Sequence, residues 1–486
     1  MPRPEGAHTI GAMATDPRGL RRDAPLLDAW LRFQEQPPTP FTIPGHKQRR
    51  DLVGDVVAGD VPLYAGLDTM KLSAGVLAEA ESRAARLWGA DFCRFSTDGA
   101  THANQSVALA FGGDGGRVVV SRSLHRSMLL GLVIAGLEPV WVRPEVDPAT
   151  GLPSGVRPDE VRRVLAENAD VRAVFVGDPS YVGTVGDVQG LAAAAHEHDV
   201  PLVVDAAWAA HFGFHPDLPQ HAIALGADVV VTSAHKTLPA WSQAALILAR
   251  SGRIDLDRLD AAVEATATTS PAGAILASTD AARALLEREE GRALLGQAIG
   301  AVADARQHLQ DVDGLLVLTG THVDPLKLTV LLPGTGADGI AIERDLIDRG
   351  LPVESADRDV LIAVASLADT PASLGAYTEA LVAAIDRHRG PAREVVDAGI
   401  YRVEPEMAMT PRRAYFAAAQ PVSLHEAVGQ VSAELVAPYP PGIPVLAPGE
   451  RITTRSLATL EAAARAGVRI AYAADPSLRT LRVVRI

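Results

Sequence analysis

One short stretch of the sequence, residues 227–240, carries the chemical groups of a covalent catalyst. It reads ADVVVTSAHKTLPA, in which the apolar run Val229–Val231 predicts a buried strand and Ser233, His235 and Lys236 follow directly. An ordinary loop rarely needs two hydroxyls, an imidazole and an amine together. A site that holds an anion and uses the amine as a nucleophile does need them. The stretch therefore predicts an active site at the end of a strand.

Composition restricts the kind of protein that such a site can serve. A chain of 486 residues predicts two or three domains, and a net charge of −14 argues against a nucleic-acid partner. The single cysteine, Cys93, cannot form a disulfide within the chain or a thiolate metal cluster, and it fits a reducing cytoplasm. No apolar run reaches the length of a membrane span, and the N-terminus lacks the apolar core of a signal peptide. Any amine chemistry has four candidate lysines, which are Lys47, Lys71, Lys236 and Lys327.

The elements around the site indicate an α/β fold. Apolar runs at residues 117–120, 139–142, 173–176, 201–204 and 228–231 predict strands, and helix-like segments separate several of them. Strands that are apolar on both faces and alternate with helices form a mainly parallel sheet. Ligands bind beyond the carboxyl ends of such strands, so we expect the polar clusters that follow four of these runs to converge on one site.

The rest of the chain supplies further elements. Helical spacing is present at residues 26–36, 70–88 and 252–310, residues 1 to about 24 are expected to be mobile, and a second α/β unit is predicted within 324–367. We divide the chain into an N-terminal segment with a mobile start and an interface helix, a large domain, a small α/β domain and a C-terminal domain, which span residues 1–69, 70–310, 311–390 and 391–486.

The residues at the strand ends match the needs of pyridoxal phosphate. The small-residue turn STDGATHAN, residues 96–104, precedes a helix predicted at 105–111, and N–H groups at such a helix start bind phosphate. His125 could stack on a flat ring, Asp205 could keep a pyridine nitrogen protonated, and Lys236 could form an imine. Each residue alone has an ordinary explanation as a cap, a loop residue or a solvated lysine. The four features together, in this order, favour the cofactor.

Several motifs resemble those of the bacterial Orn/Lys/Arg decarboxylases, which are fold-type-I pyridoxal phosphate enzymes. The likeness runs from about residue 40 to the end, and the Ser-x-His-Lys and Tyr-Pro-Pro-Gly motifs are specific in combination. The motifs are FTIPGHK, STDGATHANQ, SRSLHRSM, DPSYVGTVGDV, VVDAAWAAHFGF, TSAHKTLPAWSQAA and APYPPGIPVLAPGE.

The resemblance implies a fold-type-I large domain and pyridoxal 5'-phosphate as the cofactor. Lys236 would bind the cofactor as an imine, Asp205 would pair with the ring nitrogen, and His125 and Ala207 would pack on opposite faces of the ring. His235 or Lys236 would return a proton to the substrate carbon. The residues expected to hold the phosphate or to lie beside it are Gly99, Ala100, Thr101, Ser233 and His235.

The sequence departs from the family pattern at two places. AGLDTMKLSAG replaces an acidic, histidine-rich run and keeps Asp68, and the phosphate turn has Asp98 and Ala100 in place of asparagine and threonine. The chain also looks like the shorter family type, without an N-terminal wing domain. The carboxylates for the distal cation of a substrate are expected from the C-terminal segment or a neighbouring subunit. Glu434, Glu404 and Asp68 are candidates, although each also has an explanation as a surface or capping group.

The predicted function is decarboxylation of arginine, lysine or ornithine to the corresponding polyamine or diamine and carbon dioxide. One alternative is another reaction on the same cofactor, an aminotransferase or aldolase-like reaction, because the fold supports several chemistries. The other is a catalytically silent, decarboxylase-like binding protein. The resemblance further implies a homodimer or a larger assembly. We expect a cytoplasmic enzyme with a small-molecule amino acid substrate, and neither a metal, a nucleic acid nor a membrane as a partner.

Overall fold

The structure, a computed structural model, describes residues 14–35, 41–61, 66–68, 75–113, 115–394, 403–439, 443–465 and 467–485. Its helices span Pro25–Glu35 (α1), Arg50–Val53 (α2), Val76–Trp88 (α3), Gly99–Ala110 (α4), Arg126–Ala135 (α5), Pro158–Glu167 (α6), Val188–His196 (α7), Ala234–Thr237 (α8), Leu256–Thr266 (α9), Gly273–Glu287 (α10), Glu289–Gln310 (α11), Gly339–Asp348 (α12), Pro371–His388 (α13), Pro411–Tyr415 (α14), Leu424–Ala427 (α15) and Thr454–Arg465 (α16). None of the helices in these ranges is long and apolar enough to cross a membrane.

The strands alternate with these helices over the first part of the chain. They span Phe92–Ser96 (β1), Arg117–Ser121 (β2), Glu138–Val142 (β3), Glu145–Val146 (β4), Pro153–Gly155 (β5), Val171–Gly177 (β6), Leu202–Asp205 (β7), Val229–Ser233 (β8), Ala245–Ala249 (β9), Leu316–Val317 (β10), Lys327–Leu331 (β11), Ser355–Ala356 (β12), Val360–Val364 (β13), Ala419–Ser423 (β14), Ala437–Tyr439 (β15), Arg469–Ala471 (β16) and Thr480–Val484 (β17).

The large sheet has seven strands in the order β1-β9-β8-β7-β6-β2-β3. The five strands from β8 to β3 are parallel, and β9 runs antiparallel to both β8 and β1. Val229, Val230 and Val231 of β8 have no solvent exposure, because helices cover both faces of the sheet. The predicted α/β class and the mainly parallel sheet are confirmed.

A smaller antiparallel sheet, in the order β10-β11-β13-β12, follows the long helices α10 and α11. Its strands β11 and β13, with helix α12 between them in the chain, correspond to the strand, helix and strand predicted within residues 324–367. Leu328 of β11 belongs to the same hydrophobic cluster as Val204 of the large sheet. The two sheets therefore share a continuous core, and this brings the start of β11 close to the strand ends of the large sheet.

The C-terminal part of the chain has its own hydrophobic cluster, which includes Val436, Leu460 and Leu481. Two short antiparallel strand pairs, β14 with β17 and β15 with β16, frame this cluster. A buried salt bridge joins it to the large domain, where Arg122 Nη2 donates to Glu450 Oε2 at 2.9 Å. Arg122 lies just beyond β2, so this contact fixes the C-terminal segment beside the strand ends.

Three predicted elements differ from the structure. The helix predicted at 105–111 begins earlier, because Gly99 starts α4 and the phosphate turn forms its first turns. The helix predicted over 70–88 is observed from Val76, and residues 70–74 lie outside the described residues. Residues 14–24, expected to be mobile, include a 3-10 turn and a salt bridge from Arg288 to Asp23; residues 1–13 lie outside the described residues.

Candidate active site

Polar residues from five strand ends line one cavity of about 520 Å³. They follow β1, β2, β6, β7 and β8, whose carboxyl ends lie at the same edge of the large sheet. This is the edge at which open α/β sheets bind ligands. The predicted site residues that line the cavity are Gly99, Ala100, Thr101, His125, Asp205, Ala207, Ser233, His235 and Lys236. The structure therefore places these residues around one cavity, and their roles remain predictions.

Lys236 lies on the single turn α8, directly after the buried strand β8. Its Nζ is 4.1 Å from the centre of the Trp208 ring. Burial lowers the pKa of Lys236, while the charges of Asp205 and Glu354 act in the opposite direction. The effect of burial therefore outweighs that of the two carboxylates, which favour the protonated amine. A lysine with a lowered pKa has a larger fraction of nucleophilic amine at neutral pH.

Asp205, the last residue of β7, is 7% exposed and is held by two neutral donors. Asn104 Nδ2 donates to its Oδ2 at 2.8 Å, and the N–H of Ala207 donates to its Oδ1 at 3.3 Å. Asp205 forms no salt bridge with the residues that the structure describes. The buried carboxylate is therefore oriented but lacks a directly bonded cation, an arrangement that favours a cationic ligand group at this position.

His125 is connected to the same carboxylate through two side chains. Asn104 Nδ2 also donates to Ser127 Oγ at 3.0 Å, and this hydroxyl lies 2.8 Å from His125 Nδ1. The N–H of Ser127 donates to the same Nδ1 at 3.3 Å, so His125 caps the start of α5. Burial lowers the pKa of His125, and Asp205 opposes this shift. Nδ1 is therefore an acceptor, and the neutral ring carries its proton on Nε2.

The turn after β1 and the residues before Lys236 form the anion-binding part of the cavity. Gly99 has a left-handed backbone, with φ of 72°, and its N–H donates to the carbonyl of Gln243 at 2.8 Å. The free N–H groups of the first helical turn therefore begin at Ala100 and Thr101. Ser233 Oγ is buried and has no hydrogen-bond partner among the described residues. Together these groups can donate to an anion at the start of α4.

His235 sits between the anion-binding groups and Lys236. Its Nδ1 lies 2.9 Å from the carbonyl oxygen of Ala244, to which it donates. Burial lowers the pKa of His235, and Lys236 lowers it further. The ring is therefore neutral at pH 7, with Nε2 as the free nitrogen.

The structure adds residues that the sequence did not indicate. Asn104 lies within the quoted phosphate turn, but its contact with Asp205 depends on the early start of α4. Trp208 follows Ala207 and contacts Lys236. Glu354 comes from the small sheet, lines the same cavity and accepts a hydrogen bond from Tyr181 at 3.1 Å. No local pattern around Glu354 could have identified it.

The three carboxylates that the sequence suggested for the distal cation lie elsewhere in this chain. Glu434 accepts backbone N–H groups of Ala474 and Arg482 within the C-terminal cluster. Glu404 is exposed and pairs with Arg143 at 3.3 Å, and Asp68 accepts the N–H of Gly75. None of the three lines the cavity. Their interpretation as surface or capping groups is the one that the contacts favour.

Comparisons with known proteins agree with this architecture. The Orn/Lys/Arg decarboxylase major domain matches residues 24–322, and the Orn/Lys/Arg decarboxylase C-terminal domain matches residues 395–467. A Halalkalibacterium halodurans protein named arginine decarboxylase is 32% identical over 96% of this chain and 98% of its own length. The Francisella novicida lysine decarboxylase LdcF has a TM-score of 0.83 at 21% identity, over 95% of this chain and 81% of that chain. A structure of SPT with PLP internal aldimine has a TM-score of 0.54 at 17% identity, over 76% of this chain and 85% of that chain.

The solved structures have the fold-type-I architecture, and the predicted fold class is confirmed. The two matching domain families and the relative that aligns over 98% of its own length then identify the enzyme family within this fold type. The chain belongs to the Orn/Lys/Arg decarboxylase family. The family resemblance inferred from the motifs is confirmed, and so is the interpretation of the chain as a decarboxylase enzyme.

Proposed function

We propose that this enzyme removes the carboxyl group of a basic amino acid with the help of pyridoxal 5'-phosphate. The single observation that carries the proposal is that Lys236 and Asp205 line one cavity with His125 and Ala207. We further infer arginine as the first substrate to test, because the relative at 32% identity is named arginine decarboxylase. Lysine and ornithine remain the other candidates.

The residues present fit the cofactor. The buried Ser233 Oγ, which lacks a partner among the described residues, and the free N–H groups of Ala100 and Thr101 suit the phosphate. The Asp205 carboxylate, held by neutral donors, suits a protonated ring nitrogen. His125 and Ala207 would pack on the two faces of the ring, and Lys236 would bind the aldehyde carbon. When bound, the cofactor supplies an electron sink for the bond that breaks at Cα.

The side chains of the chain itself would then position the substrate. Glu354 would bind the distal cation, and its hydrogen bond from Tyr181 would hold the carboxylate in place. Trp208, beside Lys236, would exclude water from the leaving carboxylate. After carbon dioxide leaves, a proton would be returned to Cα from the Lys236 ammonium group, or from His235 Nε2 once that nitrogen has taken up a proton from solvent. Both groups line the cavity; His235 is held through Nδ1, which leaves Nε2 available, and the Lys236 amine lies against the Trp208 ring.

The proposed reaction is tested by following carbon dioxide release from arginine, lysine and ornithine with purified, cofactor-supplied protein. We expect release from at least one of the three, with the corresponding amine as the product. Keto-acid formation without carbon dioxide would instead indicate transamination. An absence of both, together with no visible absorbance band of bound cofactor, would overturn the proposal.

We also propose that the enzyme is a homodimer or a larger homo-oligomer in the cytoplasm, with the domain boundaries at residues 69, 310 and 390. Apolar side chains of the N-terminal segment support a dimer, since Phe41 is 97% exposed and Val56 is 82% exposed in the single chain. Such large exposed apolar groups favour a protein interface. Light scattering on the purified protein tests this, and a monomer at assay concentrations would contradict it.

A further inference from the structure

A second lysine lies directly behind the wall of the candidate active site. Lys327, the first residue of β11, is 1% exposed. Its Nζ is 3.3 Å from the centre of the Trp208 ring and 5.3 Å from that of Tyr181, and both rings line the cavity. Among the described residues, this Nζ has no hydrogen-bond partner. One indole ring therefore contacts the amines of both Lys236 and Lys327.

The position of the Lys327 amine is fixed by the packing of its stem. Gly183 has φ of +95°, and a Cβ on it would come within 2.6 Å of Lys327 Cβ and 2.7 Å of its Cγ. The carbonyl of Gly183 also accepts the N–H of Asp324 at 2.8 Å. The alkyl chain thus lies on a glycine backbone that leaves no space for another side chain, and the amine is directed to Trp208 rather than to solvent.

Four charged residues surround Lys327, and each comes from a different part of the chain. Asp324 precedes β11, but its carboxylate is held by His211 Nε2 at 3.1 Å and by the N–H of Leu326 at 2.9 Å. Arg306 of α11 donates to the backbone carbonyl of Lys327.

Two further charges belong to the cavity itself. Burial lowers the pKa of both lysines. Asp205 opposes this shift most for Lys236 and Asp324 most for Lys327, Glu354 opposes it for both, and Lys236 lowers the pKa of Lys327 further. Glu354 is therefore the cavity carboxylate whose charge reaches both amines. The charge of Glu354 therefore acts both on Lys327 and on any cation bound in the cavity.

We propose that Lys327 is a positioning residue for substrate binding, whose ammonium charge opposes the entry of a second cation beside Glu354 and is lost as a proton to solvent when that cation binds. The inference rests on the proposed function, because it takes Glu354 as the group that binds the distal cation. It deepens that function by making affinity for a cationic substrate depend on the protonation of a side chain that does not touch the substrate.

Independent support comes from the environment of the amine. Burial lowers the pKa of Lys327 to about 7, so its charge changes within the working range of most enzymes. Burial lowers the pKa of His125 and His235, which are therefore largely neutral above pH 6.5. Asp178 is another buried group that changes charge in this range, because burial raises its pKa to about 7. A test has to separate Lys327 from Asp178.

The experiment measures the binding of n-propylguanidine, a guanidinium compound without an α-amine, by isothermal titration calorimetry between pH 6 and pH 8.5. The purified protein is compared with Lys327→Met, Lys327→Arg and Asp178→Asn, and with Arg117→Met, which removes a cation at the opposite end of β2. Each titration is repeated in two buffers of different ionisation enthalpy, so that proton release is measured together with affinity. Bound cofactor absorbance and circular dichroism confirm that each variant is folded.

We expect the native protein to bind the probe about three- to tenfold more tightly at pH 8.5 than at pH 6 and to release a fraction of a proton near pH 7. Lys327→Met should bind equally well at both pH values without this release, and Lys327→Arg should bind weakly at both. Asp178→Asn and Arg117→Met should behave like the native protein. An affinity of the native protein that does not change with pH would overturn the proposal even if no variant folds. So would a Lys327→Met variant that keeps the native pH dependence.

These outcomes are separable from failure of the proposed function. If carbon dioxide is released but the pH dependence is absent, the role of Lys327 is wrong and the reaction stands. If no basic amino acid is decarboxylated but the probe binds with the expected pH dependence, the cation site stands and the reaction is wrong.

Discussion

Two groups of residues in and around the cavity are assembled in different ways. The lysine cluster consists of Asn104, His125, Ser127, Asp205 and Lys236. All five come from strand ends of the large sheet or from the turns and helices that directly follow them. Hydrogen bonds of 2.8 to 3.0 Å link its first four members. These contacts fix the geometry of the groups proposed to hold the cofactor.

The glutamate cluster consists of Tyr181, Trp208, Lys327 and Glu354. The first two lie in loops of the large sheet, whereas Lys327 begins β11 and Glu354 directly precedes β12 of the small sheet. Its contacts are those of the Lys327 amine with the Trp208 and Tyr181 rings, the edge contact between these two rings and a hydrogen bond from Tyr181 to Glu354. The groups proposed for bond breaking and the groups proposed for substrate selection are therefore held by separate parts of the fold. Substitutions in the glutamate cluster should therefore alter binding while leaving the reaction type unchanged.

The largest effect is expected in the lysine cluster, from Lys236→Ala. This variant should lower kcat by about 10⁴-fold or more, because the covalent route is lost with the nucleophile. It should also lose the visible absorbance of covalently bound cofactor. Lys236→Arg is the matched control, since it keeps a positive charge but cannot bind the aldehyde, and it should be equally inactive. Turnover or the absorbance band in Lys236→Ala would remove Lys236 from its assigned role.

A smaller effect within the same cluster is expected from Asp205→Asn. It keeps the shape and one of the two accepted hydrogen bonds but not the charge, and kcat should fall about 10²- to 10³-fold, as for the loss of one preorganised electrostatic contact. Asn104→Ala, which removes the 2.8 Å donor to Asp205, should lower kcat less than Asp205→Asn does. Carbon dioxide release measures both variants. An Asp205→Asn enzyme with native kcat would show that this carboxylate only stabilises the fold.

The glutamate cluster is tested by Glu354→Gln, which should mainly raise KM. Loss of the charged partner of a cationic substrate should weaken binding about 10- to 100-fold, with a smaller change in kcat. Glu404→Gln is the matched control, because Glu404 was also a candidate from the sequence but lies on the surface paired with Arg143. If Glu404→Gln raised KM and Glu354→Gln did not, the assignment of the distal site would be reversed.

The same contrast explains what the sequence could predict. His125, Asp205 and Lys236 each follow an apolar strand, so local patterns were enough to bring them to one edge of a sheet. Glu354 meets Tyr181 across 173 positions of the chain, and this contact depends on how two sheets pack. Long-range packing of this kind leaves no periodic signal in the sequence.

Asn104 shows a second limit of local patterns. The turn that contains it was identified, but its helix was predicted to begin at residue 105, whereas the left-handed Gly99 starts α4. A position in a flexible turn has no fixed orientation, while the same position on a helix has one. The contact with Asp205 therefore followed only from the observed start of the helix.

The smallest expected effect concerns the stability of the glutamate cluster at different pH values. Burial lowers the pKa of Lys327 from its ordinary 10.5 to about 7 in the folded protein. Between these values the folded chain binds fewer protons than the unfolded chain, so stability should rise with pH across this window. The destabilisation that results from burying the Lys327 amine is fully present below pH 7 and absent above pH 10.5. Lys327→Met removes this destabilisation. The Tm of the variant minus the Tm of the native protein should therefore be about 2 °C higher at pH 6 than at pH 9.5.

Comparing the difference at two pH values cancels any constant packing defect of the methionine side chain, and this makes the small shift interpretable. Lys327→Arg, which stays charged at both pH values, should show no such gain at pH 6. Differential scanning fluorimetry across pH 6 to 9.5 gives all three profiles. A difference between Lys327→Met and the native protein that does not change with pH would mean that Lys327 keeps one protonation state throughout. Its amine would then be a fixed part of the glutamate cluster rather than a group that responds to the charge of the ligand.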